Sequence, residues 1–458
     1  MGRTLPEATG AHAAADRTAS ATAGTIPGGD RSRRLAGWAW SGLSTAAAQA
    51  IVQGLGFAAG ILIVRWLPLR EYAFYTIATA GLGTMTVLTD SGIGSSVLAL
   101  GGAAWRDRAR LGAVIATGIA MRRRFSRAAL ALGVPLMIIL LRRQGASWSE
   151  ALLVALSVVP AFLATVTGHL LESVPRLHQA LVRLQLVQAA TNAGRLLLAV
   201  LVVPFWPLAW LAGVLTALPQ WWANLRLRRM ADDWAAWRAS PDAEIAQRMT
   251  FQVRRTMPGA VYYALSGQLT VWLISVFGRT GNVAAVGALS RLAMALSVLG
   301  LAFNALAVPR FARIPGEELS RIHRRYLQSQ ALYIAACAVP VALLALLPGP
   351  ALALLGPHYG GLRHEAVLMG LGSIATMGCG AAYSLGAARG VIAPPSLTLP
   401  ATLLVQALLI ATLPLSTVAG VIWVGILGAI GQWAVHLAYF EWHCRRARAP
   451  SRGSGDRA

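Results

Sequence analysis

The chain has 458 residues, of which 56% are hydrophobic and only 12% are charged, and its mean hydropathy is +0.58. A soluble domain carries about twice that fraction of charged residues, so the composition excludes a soluble globular protein and predicts an integral membrane protein. The formal net charge of +23 comes from arginine alone, since the sequence contains no lysine. No zinc-ligand spacing, basic helix or RNA-binding signature accompanies this charge. We therefore expect anionic membrane lipids, and no nucleic acid, as partners of the basic loops.

The chain begins with residues 1–34, which are rich in Ala, Gly, Thr and Arg and have no apolar periodicity. Such a composition predicts a disordered cytoplasmic tail. The segment has neither the apolar core nor the cleavage site of a secretory signal peptide. The arginines at its end, Arg31, Arg33 and Arg34, precede the first apolar stretch and predict a cytoplasmic N-terminus.

Twelve apolar stretches follow, and most have the roughly 20 residues that a membrane-spanning helix needs. The third is the weakest, because only 14 apolar residues lie between Arg127 and Arg142. We expect the apolar piece before it, residues 111–121, to form a separate interfacial helix. The predicted spans are 38–64, 72–99, 128–141, 150–172, 181–204, 207–225, 257–278, 283–308, 328–347, 364–388, 396–414 and 419–441.

The arginines are distributed very unequally between the two sets of loops. The segments on the N-terminal side of the membrane hold 32 arginines, the opposite loops hold six, and Arg195 and Arg291 fall within spans. Because cytoplasmic loops are enriched in basic residues, this ratio predicts an even number of spans with both termini in the cytoplasm. Exclusive use of arginine, with abundant Ala, Gly and Leu, is typical of a GC-rich bacterial genome, so the predicted location is the bacterial inner membrane.

The longest connection divides the chain near its middle. We predict an all-α integral membrane protein of about 12 transmembrane helices in two six-helix lobes, an N-lobe over 35–225 and a C-lobe over 257–442. Between them, 226–256 mixes Trp with Asp and Arg and predicts a cytoplasmic amphipathic linker that includes a surface helix. Residues 443–458 form a basic cytoplasmic tail.

The two lobes show a faint internal repeat. Residues 70–80 are similar to residues 281–291, which lie 211 positions later, and each segment starts a long span after a tight turn. Both hairpins cross the membrane in the same sense. The sequence therefore predicts a parallel pseudo-two-fold repeat, an arrangement that places a transporter's substrate site between the lobes.

The first hairpin carries a family motif. Residues 63–94, IVRWLPLREYAFYTIATAGLGTMTVLTDSGIG, resemble the N-terminal signature of bacterial polysaccharide-biosynthesis membrane proteins. The matching residues are Arg65, Leu67, Pro68, Glu71, Tyr72, Asp90, Gly92 and Ile93, and the departures are Trp66, Ala73, Ser91 and a missing glycine between Leu67 and Pro68. Residues 262–292, YYALSGQLTVWLISVFGRTGNVAAVGALSRL, resemble the second-lobe hairpin of the same family.

The resemblance implies an O-antigen flippase-like member of the flippase and multidrug-exporter superfamily, a transporter and not an enzyme. Members move undecaprenyl-diphosphate-linked oligosaccharide across the cytoplasmic membrane by alternating access and need no cofactor; glycan assembly enzymes are further implied partners. Two other classes stay open. A multidrug or small-cation exporter of the same superfamily should carry several buried carboxylates, and a membrane-embedded glycan polymerase or ligase should carry a large outer loop.

Two arginines are the leading candidates for contact with such a substrate. Removing one sugar hydroxyl from water into hydrocarbon costs about 4–8 kcal/mol, so the headgroup needs polar partners in transit. Arg suits phosphate because its planar guanidinium binds two oxygens at once. Arg195 lies three residues after Asn192 on one face of the fifth span, and Arg291 lies in the eighth. The alternative is that both extend to lipid headgroups or pair with a carboxylate.

Amides and one carboxylate complete the candidate set. Gln49 and Gln53 share a face of the first span, and Gln268 lies in the seventh; these amides either line the cavity or bond between helices. Asp90 is the ion-coupling candidate, and the alternative is a structural carboxylate that accepts hydrogen bonds from the backbone of 91–94. The sequence predicts no catalytic residue and no metal site, and its three cysteines have no ligand spacing.

Overall fold

The computed structural model describes residues 28–236, 239–315 and 318–448. Of the described residues, those from 48 to 448 belong to one compact unit, whereas the start of the first helix, residues 28–47, belongs to a second unit. Of the predicted disordered tail, 1–34, residues 28–34 belong to the first helix, and residues 1–27 lie outside the described residues. The predicted basic tail lies outside them from residue 449 onward.

The described residues form sixteen α-helices and one short 3-10 helix, Pro357–Tyr359, and contain no β-strand. The α-helices are α1 Gly28–Trp66, α2 Leu69–Asp90, α3 Ile93–Ala103, α4 Arg108–Arg143, α5 Trp148–Leu171, α6 Ser173–Leu177, α7 Leu181–Val202, α8 Ala209–Ala231, α9 Ala243–Gly267, α10 Leu269–Phe277, α11 Thr280–Ala312, α12 Leu319–Leu346, α13 Pro348–Leu355, α14 Arg363–Ala387, α15 Pro395–Thr412 and α16 Val418–Arg448.

Each predicted span has a helical counterpart. In chain order they correspond to α1, α2 with α3, α4, α5, α7, α8, α9 with α10, α11, α12, α14, α15 and α16. Within the described residues, nine helices are long and apolar enough to cross a membrane, and α9 with α10 makes a tenth span that bends by 54°. Helices α2 and α8, with 22 and 23 residues, are also long enough at about 1.5 Å per residue.

Two helix limits differ from the sequence prediction. The second span breaks after Asp90, because Ser91 and Gly92 adopt positive φ values of 29° and 89°. A φ of 89° is readily adopted only by glycine, which is the residue at position 92. The separate interfacial helix expected over 111–121 is wrong, because those residues belong to the continuous helix α4. The arginine triplet that begins at Arg122 does not end the helix, since Arg122 turns inward and is only 4% exposed.

The connection between the lobes is shorter than the linker predicted from the sequence. Helix α8 continues to Ala231, and α9 begins at Ala243, where the Asp242 side chain accepts a hydrogen bond from the Ile245 amide at 2.9 Å. Residues 243–256 are therefore continuous with the seventh span. The apolar side of this segment packs on helices of the first lobe through Met249 and Val253, which are both buried.

The apolar core joins the lobes at one end of the bundle only. We call this end the Arg-poor end. The segments that connect the spans there are 67–68, 144–147, 203–208, 278–279, 347–362 and 413–417, and the fifth of them contains α13 and the 3-10 helix. One buried cluster there contains residues of both lobes, such as Tyr72, Val154, Val283 and Tyr359. At the opposite, Arg-rich end the lobes have separate clusters, and only α9 joins the first-lobe cluster from the second half of the chain. The structure is therefore closed between the lobes at the Arg-poor end.

Candidate functional site

A cavity of about 590 Å³ lies between α2 of the first lobe and six helices of the second, namely α9, α10, α11, α14, α15 and α16. Its lining is rich in hydroxyl, phenol and amide groups, which can replace water around a polar headgroup. The polar uncharged lining residues include Thr76, Thr79, Tyr262, Tyr263, Ser266, Gln268, Ser290, Ser297, Ser373, Thr376, Gln406 and Gln432.

Arg291 is the one charged residue among the described residues that line the cavity, and no carboxylate is among them. It extends from α11 toward the first lobe, where its Cδ lies 3.3 Å from the position that a methyl group on Gly60 would take. Its guanidinium also interacts electrostatically with Tyr72 and Tyr75 of α2. Described residues provide no ion pair for Arg291, so the cavity carries an unbalanced positive charge.

Arg195 approaches the same tyrosines from the first lobe. Its Nη2 donates a hydrogen bond to the hydroxyl of Tyr75 at 3.0 Å, while its Nε is buried without a hydrogen-bond partner. The rings of Tyr72 and Tyr75 are fully buried, with centroids 6.1 Å apart. Tyr75 and Arg195 are not among the cavity-lining residues. The tyrosine pair thus lies between two arginines, one from each lobe, of which only Arg291 faces the cavity.

Two amides organise the seventh span beside the cavity. Gln268 occupies the junction of α9 and α10, and its Nε2 lies 3.2 Å from where a methyl group on Gly83 would be. The Nε2 of Gln406 on α15 lies 3.3 Å from the Tyr262 hydroxyl and 3.4 Å from Oγ of Ser266. The bent span therefore presents its polar side to the cavity and is held there from both lobes.

Besides Arg195, three more of the substrate contacts predicted from the sequence lie outside the cavity lining. Asn192 packs against α1, where its Oδ1 lies 3.2 Å from a methyl position on Gly56, and its Nδ2 donates to the Gln188 carbonyl at 3.1 Å. Gln49 and Gln53 of α1 are partly buried and are not among the cavity-lining residues. Of the predicted substrate contacts, the structure brings Arg291 and Gln268 to the cavity lining.

Asp90 forms an ion pair with Arg122 of α4, and Arg122 also donates to the carbonyl oxygen of Val166 on α5. The Arg122 side chain is 5% exposed and the Asp90 side chain 42% exposed. Asp90 is the last residue of α2, about 33 Å along the helix from the Arg-poor end. This position is near the Arg-rich surface of the membrane, away from the residues that line the cavity.

The sequence did not identify several residues of the site. Tyr75, Gln406 and Gln432 lie in apolar stretches, where single polar residues give no periodic signal. Tyr72 was noted for the family motif and not for the cavity. Spacing within one helix could place them on a face, but only the packing of seven helices brings them together.

Comparison with known proteins supports the fold. No protein-family model and no curated protein matches the chain. A multidrug resistance MATE family transporter of the MOP superfamily, inward-facing, aligns with a TM-score of 0.67 and 16% identity over 87% of this chain and 96% of the other. The lipid II flippase MurJ in an inward closed conformation aligns with a TM-score of 0.68 and 11% identity over 88% of this chain and 87% of the other.

A third similar structure is a MOP superfamily transporter from Pyrococcus furiosus, for which reverse polarity of the binding pocket suggests a different function. It aligns with a TM-score of 0.56 and 14% identity over 88% of this chain and 94% of the other. The three likenesses confirm the predicted fold class, an all-α membrane protein of about 12 spans in two repeated lobes. The chain is a multi-pass membrane protein with the fold of MOP superfamily transporters.

Proposed function

We propose that the protein flips undecaprenyl-diphosphate-linked oligosaccharide across the bacterial cytoplasmic membrane by alternating access, for surface polysaccharide biosynthesis. The observation that carries this proposal is Arg291, an unbalanced cation in a cavity whose other polar lining groups are hydroxyls, phenols and amides. A half-buried guanidinium is stabilised by an anion that accepts its hydrogen bonds, and a phosphate offers that geometry. The uncharged groups around it suit sugar hydroxyls, while the lipid tail stays in the bilayer.

The charge of the cavity also bears on the alternative function, a multidrug or small-cation exporter. Fold similarity supports an exporter and a flippase equally, since both kinds of transporter share this fold. A cationic drug in this cavity would lie near Arg291 with no carboxylate among the described lining residues to offset the repulsion. An anionic cargo is therefore favoured over a cationic one.

The proposed orientation places both termini in the cytoplasm, because the Arg-rich end carries the basic loops. With the lobes closed at the Arg-poor end, the cavity would then receive a substrate made on the cytoplasmic side. Anionic lipids would contact the basic loops, and glycan assembly enzymes would supply the substrate.

The test is flipping by the purified full-length protein in proteoliposomes that contain undecaprenyl-diphosphate-linked oligosaccharide with a fluorescent glycan. A membrane-impermeant quencher measures how fast the glycan changes leaflets. We expect Arg291→Ala to reduce this rate by about 10- to 100-fold, because a charge-assisted hydrogen bond contributes about 1.5–3 kcal/mol. Arg291→Lys should be intermediate, since a point charge replaces the two-pronged donor.

Arg310→Ala, an exposed arginine on the same helix, is the matched control and should flip at the parent rate. Equal rates for Arg291→Ala and the parent would remove Arg291 from the site. Export of a cationic dye together with no movement of the labelled glycan would replace this proposal with the exporter class. In the native host, deletion should cause undecaprenyl-linked glycan to accumulate on the inner leaflet.

A further inference from the structure

One buried side chain links the two lobes at the Arg-poor end. Gln144 lies in the loop between α4 and α5 and is 7% exposed. Its Nε2 donates hydrogen bonds to the carbonyl oxygens of Ser275, at 2.9 Å, and Gly278, at 3.1 Å. The main-chain carbonyl oxygen of Gln144 accepts a third hydrogen bond, from Oγ1 of Thr280, at 3.1 Å. All three partners belong to the second lobe.

These bonds satisfy carbonyl groups that a helix leaves without partners. Ser275 is in the last turn of α10, and Gly278 follows the end of that helix. The last carbonyls of a helix have no intrahelical donor, so another group or water must supply one. A primary amide carries two N–H groups. One side chain of the first lobe therefore donates hydrogen bonds to the C-terminal end of a helix in the second.

The internal repeat has no second copy of this arrangement. When the sequence is displaced by 211 residues, Gln144 corresponds to Leu355 and Gly278 corresponds to Leu67. Leu355 and Leu67 are buried apolar residues. Close by, Gly356 packs on Arg65: a Cβ atom added to this glycine would lie 3.8 Å from Cγ of Arg65. The contact between the lobes is thus apolar on one side of the pseudo-two-fold axis and hydrogen-bonded on the other.

We infer that Gln144, with Ser275, Gly278 and Thr280, forms a latch that holds the cavity closed at the Arg-poor end. Apolar contacts in water resist separation, whereas carbonyls that lose an amide partner bond to the water that enters as the lobes part. The latch side is therefore the side where the lobes first part, and the apolar side acts as the pivot. The inference concerns the conformational change and does not depend on which cargo the cavity holds.

Distance measurements between the lobes test the latch directly. Spin labels are attached at Ser149→Cys in the first lobe and Thr412→Cys in the second, two exposed positions at the Arg-poor end, after the native cysteines are changed to alanine. Pulsed EPR on the purified full-length protein in nanodiscs then gives the populations of short and long distances. Gln144→Ala should raise the long-distance population about fivefold to tenfold, as expected for loss of about one net hydrogen bond.

Two further variants make the outcome specific. Gln144→Glu keeps the size of the side chain but removes both donors, so it should raise the long-distance population at least as much. Asn282→Ala is the matched control, because Nδ2 of Asn282 donates to the Ser416 carbonyl at 2.8 Å at the same end but entirely within the second lobe. It should leave the distances unchanged. Parent-like distances in both Gln144 variants would overturn the latch.

A gain-of-constraint variant covers the case in which Gln144→Ala does not fold. A disulfide between Gln144→Cys and Thr280→Cys, whose native residues are in contact, should hold the short distance in every molecule and stop transport, and reduction should restore both. Long distances in the crosslinked protein would contradict the inference. A parent protein that fails to flip the labelled glycan, yet opens when Gln144 is changed, would sink the proposed cargo and leave the latch standing.

Discussion

Replacing Asp90 separates a structural ion pair from an ion-coupling site. Asp90→Asn leaves Arg122 in its buried position with the Val166 carbonyl but without a carboxylate. Removing one partner of a buried pair costs about 3–5 kcal/mol when both are shielded. The Asp90 side chain is 42% exposed, so water screens the pair and the expected loss in the free energy of unfolding falls to about 2 kcal/mol.

Arg122→Met should lower the free energy of unfolding by less, about 1 kcal/mol. The residue left without its ion-pair partner is then Asp90, which is better hydrated, and the linear methionine side chain fills the space of the arginine stem. The double variant should then be less destabilised than the sum of the single changes. A double-mutant cycle should give a coupling energy of about 1–2 kcal/mol. The midpoint of thermal unfolding of the detergent-solubilised protein, followed by tryptophan fluorescence, reports these differences.

Flipping in proteoliposomes at several pH values completes the test. If the pair is structural, the double variant flips with the pH profile of the parent. If Asp90 couples transport to an ion, Asp90→Asn stops flipping at unchanged stability, and Arg122→Met does not restore it. Unchanged stability of Asp90→Asn with zero coupling energy would refute the structural interpretation.

Two other substitutions probe the packing that shapes the cavity. Gly287→Ala should destabilise the protein by about 1–3 kcal/mol, because the new methyl group would lie 2.2 Å from Oγ1 of Thr76; Thr76→Ala should relieve part of this loss, and an unchanged unfolding midpoint would contradict the close contact. Glu71→Ala should cost about 1–2 kcal/mol, because Oε2 of Glu71 accepts from the Ala209 amide at 2.8 Å, at the N-terminus of α8. Glu71→Gln keeps an acceptor and should cost about half as much in the same assay.

Hydropathy and the arginine distribution were sufficient to predict the number and order of the spans. The information is local, since a helix must satisfy its own backbone in the bilayer and therefore needs one long apolar stretch. The start of α5 is also fixed locally, since Ser147 and Glu150 form a capping box there. The short third span was the exception, because its helix continues through Arg122, which is buried against Asp90 at a sequence separation of 32 residues.

The candidate site was predictable only in part. Arg291 and Gln268 stood out as polar residues in apolar stretches, and both line the cavity. Tyr75 could not be recognised, because its role follows from Arg195 approaching across the bundle, at a sequence separation of 120 residues. Such contacts depend on how helices pack, and no pattern within one helix encodes them.

The docking of α9 on the first lobe also has a consequence for how the protein is made. The buried cluster at the Arg-rich end of that lobe includes Met249 and Val253, which the ribosome adds only after all six spans of the lobe. The first half of the chain therefore cannot complete its own core when its last span has been inserted. A first half that ends before Ala243 should therefore be less stable on its own than one that also contains Met249 and Val253.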